Sequence, residues 1–142
     1  MPAKSFFINC SVPFVVSIFA SPPFIAQAMG ADTFFHTPSK NIWCVYQADR
    51  SRLRCDVSKR AWKDWGCKQY GCFGPGFILP NTGKASPKEV SDSLSGSSGS
   101  VLSYGTSISF GQIQCISQTS GLTCKNKTGG YLHLNREFYV AK

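Results

Sequence analysis

The alternation of apolar and polar residues around Cys44 and Cys55 predicts a β-hairpin that carries its own disulfide bond. When these two cysteines oppose each other in an antiparallel pair, one face of the hairpin is apolar and the other is mixed and basic. Opposed residues at a non-hydrogen-bonded position bring their Cα atoms within the range that a disulfide spans. We therefore expect a hairpin at residues 41–57, with its turn at residues 48–51.

A second stretch repeats this arrangement near the end of the chain. Opposing Cys115 to Cys124 pairs Ser117 with Leu122 and leaves a four-residue turn that ends in Gly121. Both hairpins follow the same order of an apolar residue and a cysteine, a polar turn, then a leucine and a cysteine. Two copies are too few to decide between an internal duplication and two hairpins that acquired their disulfides independently. In either case the sequence predicts two hairpins that are each locked by a disulfide.

The remaining apolar runs predict further short strands. Residues 77–79 and 101–110 have strand character, and residues 131–140 alternate as one closing strand with Phe138 on its apolar side. Residues 58–66 have the caps and spacing of one short helix. The predicted fold class is therefore all-β: a small disulfide-stapled antiparallel sandwich or partly open barrel, with at most one short helix.

Residues 81–100 interrupt this pattern. They are rich in serine and glycine and offer few side chains to bury. Such a composition is typical of a long exposed loop. Too few apolar residues flank the segment to build two cores, so the loop is expected to lie inside one domain, not at a boundary.

The N-terminus predicts a secretory signal peptide over residues 1–28. Lys4 supplies a positive start, an apolar run follows, and the small-x-small pattern at residues 26–28 suits a signal peptidase. The alternative is an uncleaved membrane anchor, but three prolines interrupt the run and it is short for a span. Residues 29–142 should then form a single secreted or periplasmic β-rich domain without a stable membrane span.

Charge and cysteine content support this expectation. Lys4 leaves with the signal peptide, which lowers the formal net charge from +8 to +7, and six of the seven cysteines remain. An even cysteine count in a small exported domain indicates a disulfide framework. By elimination, Cys67 pairs with Cys72. The chain has no Cys-x-x-Cys motif and only two histidines, so we predict no redox site, no metal and no cofactor.

A cluster of arginine and tryptophan is the candidate binding site. Arginine beside tryptophan suits cation–π contacts and the binding of carboxylate or phosphate. The predicted partner is an anionic envelope polymer or an acidic protein, and export disfavours nucleic acid. The alternative is that the tryptophans are core residues and the basic side chains solvate its rim. The candidate residues are Trp43, Arg52, Arg54, Arg60 and Trp62, with Lys59 nearby in sequence.

The sequence favours a non-enzymatic protein. His133 is expected on the polar side of its strand, and no Gly-x-Ser-x-Gly frame exists. Two alternatives to the binding protein stay open. One is a proteinaceous inhibitor of a secreted hydrolase that uses the loop at residues 48–51 or 67–72. The other is a weak hydrolase that uses an aspartate and His133.

Several motifs together resemble a known family. The segment Phe35-His-Thr-Pro-Ser-Lys-Asn-Ile-Trp-Cys44, followed by Leu53-Arg-Cys-Asp56, is similar to the opening of a family of small secreted bacterial proteins. Residues 101–105 and 121–126 resemble its second half. The family is catalogued as a domain of unknown function, so the resemblance implies export and paired cysteines and supplies no catalytic residues. The chain departs from the family pattern at Lys40, where glycine often stands.

Overall fold

The computed structural model describes residues 30–63 and 74–142. Within these ranges the regular elements are strands, together with one 3₁₀ turn at Ala48–Arg50. The strands, in chain order, are β1 Thr33–His36, β2 Ile42–Gln47, β3 Arg52–Val57, β4 Gly74–Pro80, β5 Ser86–Val90, β6 Ser100–Val101, β7 Ser107–Phe110, β8 Ile113–Gln118, β9 Gly121–Asn126, β10 Tyr131–Leu134 and β11 Tyr139–Ala141. The described part of the chain holds no α-helix, and the all-β prediction is confirmed.

The strands form two sheets that pack face to face. Sheet A has the order β5-β4-β3-β2-β1-β6, and sheet B has the order β11-β10-β9-β8-β7. Neighbouring strands are antiparallel except β1 and β6, which are parallel. Both sheets contribute buried side chains to one core, and neither sheet closes on itself. The architecture is therefore a sandwich, which was one of the two predicted arrangements.

The registers of both predicted hairpins are confirmed. Cys44 opposes Cys55 between β2 and β3, and Cys115 opposes Cys124 between β8 and β9. Each pair forms a disulfide, with Cα–Cα distances of 4.1 and 4.0 Å. Such short distances mark non-hydrogen-bonded positions, where side chains approach most closely. Structural disulfides are typical of oxidising compartments, so these two are consistent with the expected export.

The core lies between the sheets and contains both disulfides. Its fully buried side chains are Phe35, Cys44, Leu53, Cys55, Phe77 and Leu79 from sheet A, and Ile113, Cys115, Leu122, Cys124, Leu132 and Leu134 from sheet B. Strands β8 and β10 alternate between buried and more exposed positions, as expected for a sheet with one solvated face. Strands β2 and β3 instead bury consecutive residues, which means that sheet A is covered on both faces.

The outer face of sheet A is covered by residues 91–99, which we name the strap. β5 and β6 lie at opposite edges of sheet A, and sheet B occupies the inner face, so the connection between them crosses the outer face. The prediction of a long exposed loop at residues 81–100 is therefore wrong in part. That segment contains β5, and two of its side chains, Ala85 and Leu94, are buried.

The contacts of the strap follow the order of the strands beneath it. Asp92 binds Arg54 on β3, and Leu94 packs in a small apolar cluster with Trp43 and Val45 of β2. Gly99 then passes so close to β1 that a Cβ there would stand 2.8 Å from the backbone of Phe34. A glycine is required at this point because no larger residue fits.

The predicted single strand at residues 131–140 is wrong. The chain forms a hairpin of β10 and β11 instead, with a turn between them. The Asn135 side-chain oxygen accepts hydrogen bonds from the backbone N–H groups of Glu137 and Phe138, an arrangement that favours a turn over an extended strand. Phe138 consequently leaves the apolar side and is 51% exposed.

Other expectations fall partly or wholly outside the described residues. Residues 58–63 form bends, not the first turns of the expected helix, and the rest of that element is not described. The signal peptide and the Cys67–Cys72 pair also lie outside the described residues. In the part of the chain that the structure describes, no helix has the length and apolarity needed to cross a membrane.

Candidate functional site

The basic face predicted on the first hairpin is not open to a ligand. Trp43 is 7% exposed, and its indole Nε1 donates to the carbonyl oxygen of Lys40 at 2.8 Å. The ring also lies against His36, with centroids 4.5 Å apart. Trp43 is thus a structural residue beneath the strap, and the expectation that it forms an exposed platform is wrong.

Arg54 is buried in an ion-pair network. Its Nε and Nη2 donate to the two carboxylate oxygens of Asp56 at 3.1 and 2.9 Å, and its Nη1 donates to Asp92 at 2.8 Å. Burial lowers the pKa of Arg54, but the hydrogen bonds and charges of the two aspartates outweigh it, so the pKa is raised. The guanidinium therefore anchors the strap and is not available to an external anion, contrary to the prediction.

The other three candidate residues are divided between two places. Arg52 lies at the start of β3, where its Nε donates to Gln47 at 2.8 Å. Arg60 and Trp62 come together after β3: the guanidinium lies 5.4 Å from the indole centroid, as expected for a cation–π pair. Trp62 also packs against Phe77 and Tyr139, which makes it part of the edge of the core.

The structure places a different candidate site at one end of the sandwich. A cleft of about 500 Å³ opens there between loops that come from both sheets. It falls in the range of about 300–1,000 Å³ that is usual for pockets that bind small organic ligands. Its lining residues are Thr37, Ser39, Lys40, Asn41, Ile42, Ser58, Lys59, Tyr104, Gln118, Thr119, Gly121, Asn135 and Arg136.

Asn41 fixes the wall of the cleft that carries Lys59. Its side-chain oxygen accepts from the backbone N–H of Lys59 at 2.6 Å, and its Nδ2 donates to the backbone oxygen of the same residue at 2.9 Å. The backbone N–H of Ser58 also donates to the Asn41 carbonyl oxygen. The main chain at Lys59 is therefore held in place from three points, although the Lys59 side chain is exposed.

The main chain at Arg136, another lining residue, is tied to the same segment. The backbone N–H of Ala61 donates to the Arg136 carbonyl oxygen at 2.8 Å, and the Trp62 indole donates to the Asn135 carbonyl oxygen at 3.2 Å. These bonds join a loop of sheet A to a turn of sheet B. The main chain that carries Lys59 and Arg136 is thus fixed, whereas both side chains are exposed in the cleft.

The cleft is positively charged. Lys40, Lys59 and Arg136 line it, and its lining includes no aspartate or glutamate. Among the described residues the ion pairs involve Arg50 and Arg54, so none of the three cleft cations is bound to a described carboxylate. Cations without a counter-charge in a concave site attract anionic ligands. A shallower recess beside Arg60 and Trp62 shares Lys59 and Arg136 with this cleft.

His133 lies beside the cleft and does not have the geometry of a general base towards a hydroxyl. The Asn135 oxygen accepts from two backbone N–H groups, so its amide Nδ2 is the group that faces His133 Nε2, at 3.3 Å. Nε2 therefore accepts, and the ring proton lies on Nδ1, which is 2.8 Å from Thr123 Oγ1. A ring that donates to this hydroxyl cannot remove its proton, and the arrangement does not favour a hydrolase.

His133 should make the stability of the domain depend on pH. Burial lowers its pKa below the ordinary value of 6.5, whereas the unfolded chain keeps that value. Between the two pKa values the unfolded state binds more protons, so the free energy of unfolding falls as the pH drops below 6.5. We expect His133→Gln to remove this part of the decrease, measured by urea unfolding between pH 7.5 and 4.5. The difference will be small because the ring is only partly buried, and identical pH profiles would contradict it.

The described residues offer no metal site: none of their histidine, cysteine and acidic side chains form a group of three that could hold an ion. Comparisons of the chain with protein-family models, with curated proteins and with solved structures found no match. The resemblance to the secreted bacterial family therefore stays an expectation.

Sequence reasoning found only part of this site. Lys59 lies in a basic run with Arg60 and Lys63, whereas Lys40, Tyr104 and Arg136 stand apart from that run in the sequence. These four residues meet because the four loops that carry them converge at one end of the sandwich. One signal was present in the sequence: Asn135 and Arg136 interrupt the alternation of the last strand, as turn residues do.

Proposed function

We propose that this chain is an exported, non-enzymatic binding domain that holds an anionic ligand of the cell envelope in its terminal cleft. The observation that carries the proposal is the lining of the cleft, in which Lys40, Lys59 and Arg136 converge without an acidic residue. The proposal keeps the anionic class of partner that the sequence predicts. It moves the site from the first hairpin to the end of the sandwich.

The rigidity of the cleft supports binding. Its main chain is held by hydrogen bonds from Asn41 and Ala61, so the backbone loses little conformational entropy when a ligand enters. Arg136 can hold a carboxylate or phosphate through two parallel hydrogen bonds, and Lys59 adds a compact point charge. Neither task requires a catalytic group.

The location that we propose is secreted or periplasmic. Two disulfides in the core and a formal net charge of +7 without the signal peptide, against +8 for the full chain, suit a protein that works beside anionic polymers outside the cytoplasm. An acidic protein remains the alternative partner, and the experiment that follows includes it as a competing outcome.

The test is the binding of a carboxylated polymer to charge-reversed variants. We expect Lys59→Glu/Arg136→Glu to weaken the affinity for polygalacturonate by about tenfold or more, since two exposed attractive charge contacts, each worth about 0.2–1 kcal/mol, are replaced by two repulsive ones. Affinity should also fall as salt is raised. The measurement is isothermal titration calorimetry at two salt concentrations.

The matched control is Lys84→Glu/Lys88→Glu, which changes the net charge by the same amount at exposed positions away from the cleft. We expect this variant to bind almost as well as the native chain. Equal losses in both variants would mean that only overall charge matters. Binding of polyglutamate in the cleft, without binding of polygalacturonate, would favour an acidic protein as the partner.

A further inference from the structure

Tyr104 is an exposed aromatic residue at the rim of the cleft. It is 43% exposed and is one of the lining residues. The turn that carries it is fixed to β8 by two backbone hydrogen bonds. The Gly105 N–H donates to the Ser117 carbonyl oxygen at 2.7 Å, and the Ser117 N–H donates to the Thr106 carbonyl oxygen. The Thr106 hydroxyl closes the same turn with a 2.6 Å bond to Ser103. An exposed ring on such a fixed turn is not explained by packing.

The cleft also offers more than positive charge. Beside its three cations, its lining carries the neutral side chains of Ser39, Ser58, Gln118 and Thr119. The side chains of Thr37, Asn41 and Asn135 also line it, but they are already hydrogen-bonded within the protein. A small inorganic anion would use the cations alone. A ligand that carries many hydroxyl groups as well as an acid would use both kinds of side chain.

The geometry points to an acidic sugar as the ligand: a pyranose unit with a carboxylate, within an envelope polymer. Its carboxylate binds between Lys59 and Arg136, its hydroxyl groups bind the neutral side chains, and the apolar face of its ring packs against Tyr104. This inference rests on the proposed function and narrows its anionic ligand to one chemical class. Tyr104 is then the residue that distinguishes a sugar from other anions.

The test compares three probes of similar charge: trigalacturonate, triglutamate and tripolyphosphate. The native protein should bind trigalacturonate most tightly. Tyr104→Ala should lower that affinity by about tenfold, the order expected for loss of an aromatic contact of about 1.4 kcal/mol, and should leave the two other affinities unchanged. Tyr104→Phe should keep most of the affinity because it keeps the ring.

The control for surface exposure is Val101→Ala, which trims another exposed apolar residue that does not line the cleft. It should bind trigalacturonate as the native protein does, and thermal melts should verify that every variant is folded. Equal affinity for the three probes, or no effect of Tyr104→Ala, overturns the sugar while Lys59→Glu/Arg136→Glu still tests the cleft. Failure of all three probes to bind overturns the proposed function as well.

Discussion

Replacing Cys44, Cys55, Cys115 and Cys124 together with alanine is expected to leave the chain largely unfolded at 25 °C. The two bridges join residues 11 and 9 positions apart, and each stabilises the fold by about 3 kcal/mol in the chain-entropy model. All four cysteines are at most 1% exposed, so their loss also leaves space in the core. The summed effect approaches the total stability of about 5–15 kcal/mol that is usual for a domain. Far-UV circular dichroism and urea titration measure the outcome.

The two double variants, Cys44→Ala/Cys55→Ala and Cys115→Ala/Cys124→Ala, are the controls. Each should remain folded because one bridge survives in the core. The urea midpoint should fall, and the slope should be equal to or slightly larger than that of the native chain because the unfolded state loses one cross-link. The contrary outcome is a variant without all four cysteines that has the same urea midpoint as the native chain. In that case packing alone would hold the sandwich together, and the bridges would contribute little.

The second large effect is expected at Asn126, where Asn126→Asp should lower the free energy of unfolding by about 3 kcal/mol or more at pH 7. The Asn126 side chain is 8% exposed and joins two turns. Its Nδ2 donates to the carbonyl oxygens of Pro80 and Gly83 at 2.9 and 2.7 Å, and its oxygen accepts from the Gly130 N–H at 2.7 Å. An aspartate would set a buried, charged acceptor against two carbonyl oxygens.

The pH dependence of Asn126→Asp provides a specific check. Burial and the facing carbonyl oxygens should raise the pKa of the new carboxyl above its unfolded value of about 3.9. The folded state then binds the extra proton first, so the variant should recover stability relative to the native chain as the pH falls from 7 towards 4. A protonated carboxyl can again donate to one carbonyl oxygen.

Asn41→Asp is the matched control, since Asn41 makes similar side-chain bonds to the main chain at a less buried position. Its cost should be about 1 kcal/mol. Equal costs at Asn41 and Asn126, or a loss at Asn126 that does not change with pH, would contradict the proposed role of Asn126. Gly130 belongs to the same junction, because a Cβ there would collide with Asn126 and Gly83.

The local parts of the fold could be predicted because they follow from short-range pattern. A period of two residues and a cysteine at a matching place in each strand determine the register of a hairpin, and both registers were predicted correctly. The turn at residues 48–51 followed from the same register. These features depend on neighbours close in sequence.

The strap could not be predicted, because its contacts are few and of mixed chemistry. In a run of serine and glycine, Leu94 provides the buried apolar side chain and Asp92 provides the ion pair with Arg54. The predicted basic face failed for the same reason: a basic pattern on a strand does not reveal which later segment will lie on it. Asn126 was also missed, since asparagine is ordinary in a turn and only tertiary structure gives it its bonds.

The candidate site was hardest to predict because its residues are far apart in the sequence. Lys40, Lys59, Tyr104 and Arg136 belong to four loops, and their approach depends on how the two sheets are stacked. The chemistry that the sequence suggested, a basic surface for an anionic partner, is kept in the proposal, but on different residues.

The strap also lies between most of sheet A and all of sheet B along the chain, because β6 is the one strand of sheet A that follows it. Neither of the two disulfides in the described residues joins sheet A to sheet B, because each lies within one hairpin. A single peptide-bond cleavage at Gly96 would therefore separate β1–β5 from β6–β11, each fragment with its own sulfur bridge. The nicked molecule would be a heterodimer of complementary fragments, held together only by noncovalent forces.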